Sequence, residues 1–177
     1  PRLELTDPGR LRKVTEIAES LEHAVETGPE LRGADRRISP REDVPVMLRV
    51  ALKLALSRRL FQEIRHPTHV SVVFAVYKEH LRILPVAEHP AGEDLVREKL
   101  RQLRWLFGPT PQHSWDLTVV DDGCPEGSGE RIREIFDEFA EPGEEVDVLF
   151  LADANAEGRP IVSGMVSTDD SRKGGSI

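Results

Sequence analysis

Three stretches of polar residues follow apolar runs after residue 69 of the sequence. They are Tyr77-Lys78-Glu79, Asp121-Asp122-Gly123 and, later, Asp169-Asp170-Ser-Arg172-Lys173. A tyrosine can stack on a planar base, and a carboxylate can accept a hydrogen bond from a base N–H or a ribose hydroxyl. Neighbouring arginine and lysine side chains can bring positive charge to a diphosphate. These residue types are the components of a nucleotide pocket.

The apolar runs in front of these stretches predict the strands that position them. Short runs predict strands at 70–77, 115–120, 146–151 and, more weakly, 160–166. The first run is rich in β-branched residues, which is typical of a strand covered on both faces. Helical patterns at 93–107 and at 128–140, the second capped by Ser128, lie between the strands. The alternation predicts an α/β fold with mainly parallel strands and crossover helices, in which ligands bind beyond the carboxyl ends of the strands.

Residues 1–66 are predicted to form an N-terminal helical extension. Apolar residues recur at helical spacing after Pro8 and predict a first helix that ends near Gly28. Residues 29–40 have no period and predict a loop. Residues 46–61 form the body of a second helix with a narrow polar stripe at Arg49, Lys53 and Ser57. We expect this helix to be mostly buried, with peripheral membrane contact as the less favoured alternative. The apolar faces indicate packing on the sheet domain or a homodimer.

Composition excludes several classes of protein. The 177 residues include 24 Lys and Arg against 32 Asp and Glu, and the net charge of −8 argues against a nucleic-acid binder. No apolar run approaches the ~20 residues that span a bilayer. The single cysteine, Cys124, cannot form an internal disulfide, which indicates a reducing compartment and a cytoplasmic location. The glycine motifs of dinucleotide enzymes and phosphate-binding loops are absent from the sequence, so neither hydride transfer nor ATP hydrolysis is supported.

Two of the strand ends and one later segment form a further pattern when they are taken together in chain order. Ser71-Val-Val-Phe-Ala-Val-Tyr77-Lys-Glu79 is followed by Leu117-Thr-Val-Val-Asp121-Asp122-Gly123-Cys-Pro-Glu-Gly-Ser128, and later by Lys173-Gly-Gly-Ser-Ile177. In this order the segments resemble the opening of family 2 glycosyltransferases with a GT-A fold. The resemblance implies a Rossmann-like GT-A domain at 67–177 that binds a nucleotide sugar.

The same resemblance implies roles for individual residues. It implies nucleotide binding by Ala75, Tyr77, Glu79, Asp121, Asp122, Gly123, Arg172 and Lys173. It also implies an inverting hexosyltransferase that takes a UDP- or GDP-linked sugar, uses Mg²⁺ or Mn²⁺ and transfers the sugar to an unidentified acceptor. The family's metal-binding D-x-D motif follows its Gly-Lys-Gly segment, so we expect the metal ligands and the catalytic base after Ile177 or in an unmatched gap.

Other interpretations stay open. A nucleotide-binding or regulatory module without catalysis, with a helical docking region for a partner, fits the same residues. Asp121-Asp122-Gly123 could also form a turn in which the carboxylates bond their own backbone. The pair Asp169-Asp170 is more typical of carboxylates exposed to solvent than of metal ligands. The surroundings of Cys124 are more typical of an inert thiol than of a nucleophile.

Overall fold

A computed structural model describes residues 8–25 and 27–157. The chain divides into two compact units, Pro1–Pro67 and Thr68–Ile177. The strand predicted at 160–166 and the pairs Asp169-Asp170 and Arg172-Lys173 lie outside the described residues. Within the described ranges, no helix combines the length and the apolar character needed to cross a membrane.

The described residues of the first unit form three helices, α1 (Pro8–Ala24), α2 (Gly28–Ile38) and α3 (Val46–Gln62). The prediction of a loop at 29–40 is wrong, because Gly28 and Pro29 begin a helix instead of breaking one. Thr27 and Glu30 form a reciprocal capping box: the Thr27 hydroxyl accepts from the Glu30 backbone N–H, and the Glu30 carboxylate accepts from the Thr27 backbone N–H. Proline is tolerated in the first turn because the N–H that it lacks would have no acceptor within the helix there.

Helix α3 packs against both α1 and α2. Its buried residues are small or aliphatic, namely Ala51, Leu52 and Ala55. Arg58 donates to the Glu22 carboxylate over 2.9 Å, and Arg59 donates to the Glu22 carbonyl over 2.8 Å. These bonds satisfy backbone and carboxylate groups near the end of α1, which the helix itself cannot satisfy. They tie the carboxyl-terminal half of α3 to α1.

The second unit is a parallel α/β arrangement. Its elements up to residue 157, where the description ends, are β1 (His69–Val76), α4 (His80–Ile83), α5 (Leu95–Phe107), β2 (Ser114–Asp121), α6 (Ser128–Phe139), β3 (Glu145–Phe150) and α7 (Leu151–Ala156). The sheet has the order β1-β2-β3, and both pairings are parallel. The three predicted strands, their parallel pairing and the two crossover helices are therefore confirmed, with α4 and α7 as additional short helices.

The two faces of this sheet differ. One face carries Leu117, Val119 and Val148, which are buried together with the apolar sides of α5 and α6. On the other face Val73 is 56% exposed and Leu149 is 52% exposed. The prediction that 70–77 is covered on both faces is therefore wrong for Val73. Strands that follow one another in chain order with right-handed crossovers place both connecting helices on the same side.

Candidate functional site

The carboxyl ends of β1 and β2 lie side by side. Val76 pairs with Asp121 at the end of the parallel ladder, and the Asp122 N–H donates to the Val76 carbonyl over 3.1 Å. This register brings six of the predicted nucleotide-binding residues to one edge of the sheet: Ala75, Tyr77, Glu79, Asp121, Asp122 and Gly123. The other two, Arg172 and Lys173, lie outside the described residues.

A turn after β1 is linked to the loop after β2. Lys78 has a φ of 55°, in the left-handed region that costs a residue other than glycine about 1–2 kcal/mol. In this conformation its backbone N–H donates to Cys124 Sγ over 3.3 Å, and Cys124 Sγ lies 3.1 Å from Ser128 Oγ. The Lys78 ammonium lies 5.6 Å from the centre of the half-buried Tyr77 ring. One aromatic ring and one exposed cation thus stand next to each other at the sheet edge.

Asp121 is buried and both of its carboxylate oxygens are used. Oδ1 accepts from the Cys124 N–H and Oδ2 from the Gly129 N–H, each over 2.7 Å. Burial raises the pKa of this carboxyl group, and the two backbone N–H bonds offset part of that rise. The interpretation in which this carboxylate bonds its own backbone is confirmed for Asp121.

Asp121 also accepts a hydrogen bond at the start of α6, which is the capping role predicted for Ser128. The prediction that Ser128 caps α6 is wrong, because Gly127 precedes the helix at a φ of 70° and makes no side-chain cap. The first free N–H groups of the helix need an acceptor from elsewhere. Asp121 supplies one from the end of the neighbouring strand, and a carboxylate there is also favoured by the helix dipole.

Gly129 allows Asp121 and Phe150 to lie close to the first turn of α6. A Cβ at this position would lie 2.5 Å from Phe150 Cε1 and 2.7 Å from Asp121 Oδ2, which is closer than real side chains come. Neither Gly129 nor the Lys78–Cys124 link was predicted from the sequence. The signal for Gly129 was the pair of glycines around Ser128, in the loop and helix start that follow a strand ending in aspartate. Nothing in the sequence indicated the link.

Glu79 is held by an arginine. It is buried at the start of α4, and Arg82 donates to its carboxylate over 2.9 Å. The second terminal nitrogen of Arg82 donates to Glu93 over 2.7 Å. The bond to Glu93, with that to Glu79, raises the pKa of Arg82 against the effect of its burial. Glu79 therefore belongs to a charged network that joins α4 to the segment before α5.

The arrangement separates two kinds of group at this edge. Asp121, Asp122 and Glu79 are buried, and the bonds of Asp121 and Glu79 hold the surrounding loops and helices. Lys78 is exposed and Tyr77 is half-buried, so these two side chains can meet a ligand from solvent. Such an edge can provide a stacking ring, a cation and backbone groups of the loop 122–128.

The described residues supply no metal site at this edge or elsewhere in that part of the chain. No three of their His, Cys, Asp and Glu side chains are grouped to hold an ion. Comparisons of the chain with protein-family models, with curated proteins and with solved structures give no match.

Proposed function

We propose that the second unit binds a nucleotide-activated sugar and that the protein is a glycosyltransferase of the GT-A type, transferring the sugar from a UDP- or GDP-linked donor. The supporting observation is the parallel register of β1 and β2, with Val76 opposite Asp121. It sets Tyr77-Lys78-Glu79 beside Asp121-Asp122-Gly123 at the edge where open α/β sheets bind ligands. The motif resemblance adds the donor class.

In this proposal the exposed and buried groups have different tasks. Tyr77 stacks on the base, and the Lys78 ammonium meets the charged part of the donor. Asp121 and Glu79 fix the loops at the sheet edge. In the proposal Ala75, Asp122 and Gly123 bind the nucleotide at the same edge. The motif resemblance assigns Arg172 and Lys173 to the charged part of the donor as well. Bound Mg²⁺ or Mn²⁺ would offset charge on the leaving diphosphate.

Calorimetric titration of the full chain with UDP, GDP, uridine and guanosine tests the proposal. Base stacking contributes about 1–3 kcal/mol, so Tyr77→Ala should weaken binding of all four ligands by roughly tenfold or more. Lys78→Ala should weaken the diphosphates more than the nucleosides, because only the diphosphates carry the charge that it meets. Lys99→Ala, which removes a lysine from α5, is the matched control and should bind like the wild type. If neither UDP nor GDP binds to the wild type, the proposal is contradicted.

A non-catalytic nucleotide-binding or regulatory module is the second candidate. It is favoured by the bonds of the buried acids, since Asp121 uses both oxygens for backbone N–H groups and Glu79 is paired with Arg82. Carboxylates with these bonds hold the loops of a binding edge, and that role does not require catalysis. Release of UDP or GDP from a nucleotide sugar by the full chain supports transfer. Binding without release, with a range of acceptors, supports the module.

The cytoplasmic location and the homodimer through the N-terminal helices remain parts of the proposal. Size-exclusion chromatography with light scattering on the full chain tests the dimer. A monomer at high protein concentration would remove it without affecting the proposed nucleotide site.

A further inference from the structure

The amino ends of β1 and β2 carry a second polar cluster, on the open face of the sheet. In the parallel register His69 lies opposite Ser114, and Ser71 lies opposite Asp116. Seven strand residues at about 3.3 Å each separate His69 from Val76, so the cluster lies roughly 20 Å from the carboxyl edge. It is therefore independent of the proposed nucleotide site.

The hydrogen bonds of this cluster run from a hydroxyl through an imidazole to a carboxylate. His69 Nδ1 lies 2.8 Å from Ser114 Oγ, and His69 Nε2 lies 3.1 Å from Asp116 Oδ1. Ser71 Oγ donates to the same Asp116 oxygen over 2.7 Å. The bond from Ser71, together with that from His69, lowers the pKa of Asp116 against the opposing effect of burial. Asp116 is therefore an ionised acceptor.

This carboxylate selects the form of the imidazole. An ionised aspartate only accepts hydrogen bonds, so the neutral imidazole must carry its proton on Nε2 to bond with it. The lone pair of Nδ1 then faces the Ser114 hydroxyl, which donates to it. Hydroxyl, imidazole and carboxylate in this order make up the arrangement that activates a serine, and it is recognised by geometry and roles, not by position in the chain.

We propose that Ser114 is a nucleophile activated by His69 and that it is acylated by small activated carboxylic esters. Ser114 Oγ forms a bond to the carbonyl carbon of an aryl ester while His69 Nδ1 takes the hydroxyl proton. The bond from that carbon to the aryloxy oxygen breaks, and the proton passes to the departing phenol. The products are O-acyl-Ser114 and the phenol.

Ser114 and His69 are catalytic residues in this step, and Asp116 is a positioning residue. Ser114 is exposed and the His69 side chain is 48% exposed, so a small ester reaches them directly from solvent. We assign no oxyanion-hole donor to this site. Removal of a single such donor typically lowers kcat by about 10²–10³-fold. We therefore expect one acylation per chain and slow release of the acyl group.

The test uses the full chain with 4-nitrophenyl acetate. The expected result is a stoichiometric burst of nitrophenol, a mass gain of one acetyl group and an acetyl group mapped to Ser114 by peptide mass spectrometry. Ser114→Ala should lose the burst, and Ser114→Cys should keep it as a thioester. His69→Asn should slow acylation by about 100-fold, because a general base contributes about 10²–10⁴-fold.

Two further variants separate activation from a structural role. In Asp116→Asn the amide can donate to Nε2 and shift the imidazole proton to Nδ1, so acylation should slow while the unfolding temperature stays close to that of the wild type. Thr118→Ala removes a hydroxyl from the same sheet face and should acylate like the wild type. Acetyl groups on lysines only, or equal rates in Ser114→Ala, would overturn the proposal and leave the cluster as a cross-strand polar ladder.

Discussion

Asp116 and Asp121 lie on the same strand, β2, but on opposite faces of the sheet and at opposite ends. Asp121, on the covered face, is buried and holds two backbone N–H groups, and burial raises its pKa. Asp116, on the open face, accepts from Ser71 and His69, and these bonds lower its pKa. The carboxylate on the covered face thus organises backbone groups, whereas the carboxylate on the open face organises side chains.

The largest expected effect comes from closing the space beside Asp121. Gly129→Ala places a Cβ against the Phe150 ring and the Asp121 carboxylate, so the covered-face arrangement must shift. Overpacking of this kind typically costs about 1–3 kcal/mol. We expect Gly129→Ala to lower the free energy of unfolding in urea by about 3 kcal/mol. Gly33→Ala is the matched control, because its Cβ meets nothing closer than 3.8 Å inside helix α2. The control should be neutral or stabilising by up to about 1 kcal/mol. Equal losses in both variants would show that crowding at Asp121 is not the cause.

Asp121→Asn tests the backbone bonds directly. An amide offers one acceptor oxygen where the carboxylate offers two, so the N–H of Cys124 or of Gly129 loses its partner. A buried N–H without a partner costs about 1–3 kcal/mol, and we expect a loss of about 2 kcal/mol in the free energy of unfolding at neutral pH. Asp116→Asn should lose clearly less, because its partners are solvent-accessible. A larger loss for Asp116→Asn would reverse the comparison between the two faces.

The two aspartates should also respond to pH with opposite signs. Because the pKa of Asp121 is raised above 3.8 in the folded state, the stability of the wild type relative to Asp121→Asn should fall as pH rises from about 3.8 to the raised pKa. Because the pKa of Asp116 is lowered, its contribution is present above 3.8 and is lost as pH falls through the lowered pKa. Urea unfolding of the wild type and both variants across acid pH measures the two slopes. Slopes of the same sign would contradict the assignment.

The smallest effect is expected at the open face. Val73→Thr replaces a side chain that is 56% exposed and should change the free energy of unfolding by less than about 0.5 kcal/mol. Val119→Thr places a hydroxyl among fully buried residues of the covered face and should cost about 1–3 kcal/mol. Thermal unfolding of the two variants compares the faces with the same chemical change. A substantial loss for Val73→Thr in the full chain would show that this face is covered by something.

Much of the fold could be predicted because it is encoded in local periodicity. The strands at 70–77, 115–120 and 146–151 and the helices at 93–107 and 128–140 appear within one or two residues of their predicted bounds. Helix α2 could not be predicted in this way, because its Gly28 and Pro29 signal a break unless the capping box of Thr27 and Glu30 is recognised. The open face of β1 could not be predicted either, since strand composition does not reveal which side the crossover helices take.

The candidate site was predictable in position but not in its bonds. Parallel strands bring their carboxyl ends together, which placed Tyr77 and Asp121 at one edge. The partners of Asp121 depend on Gly129 and on a left-handed Gly127, and the link from Lys78 to Cys124 depends on another left-handed residue. The His69–Ser114–Asp116 order requires the strand register, because His69 lies 45 residues from Ser114 and 47 from Asp116 along the chain.

The order β1-β2-β3 has a consequence for how the sheet assembles. Each strand pairs with the one that precedes it, so the sheet can grow from one edge, and each step closes only the loop of its own crossover. Each doubling of loop length adds only about 0.6 kcal/mol of closure entropy, so the two pairings face similar entropic barriers. During synthesis β1 and β2 can pair once α5 and β2 have emerged, before β3 has left the ribosome.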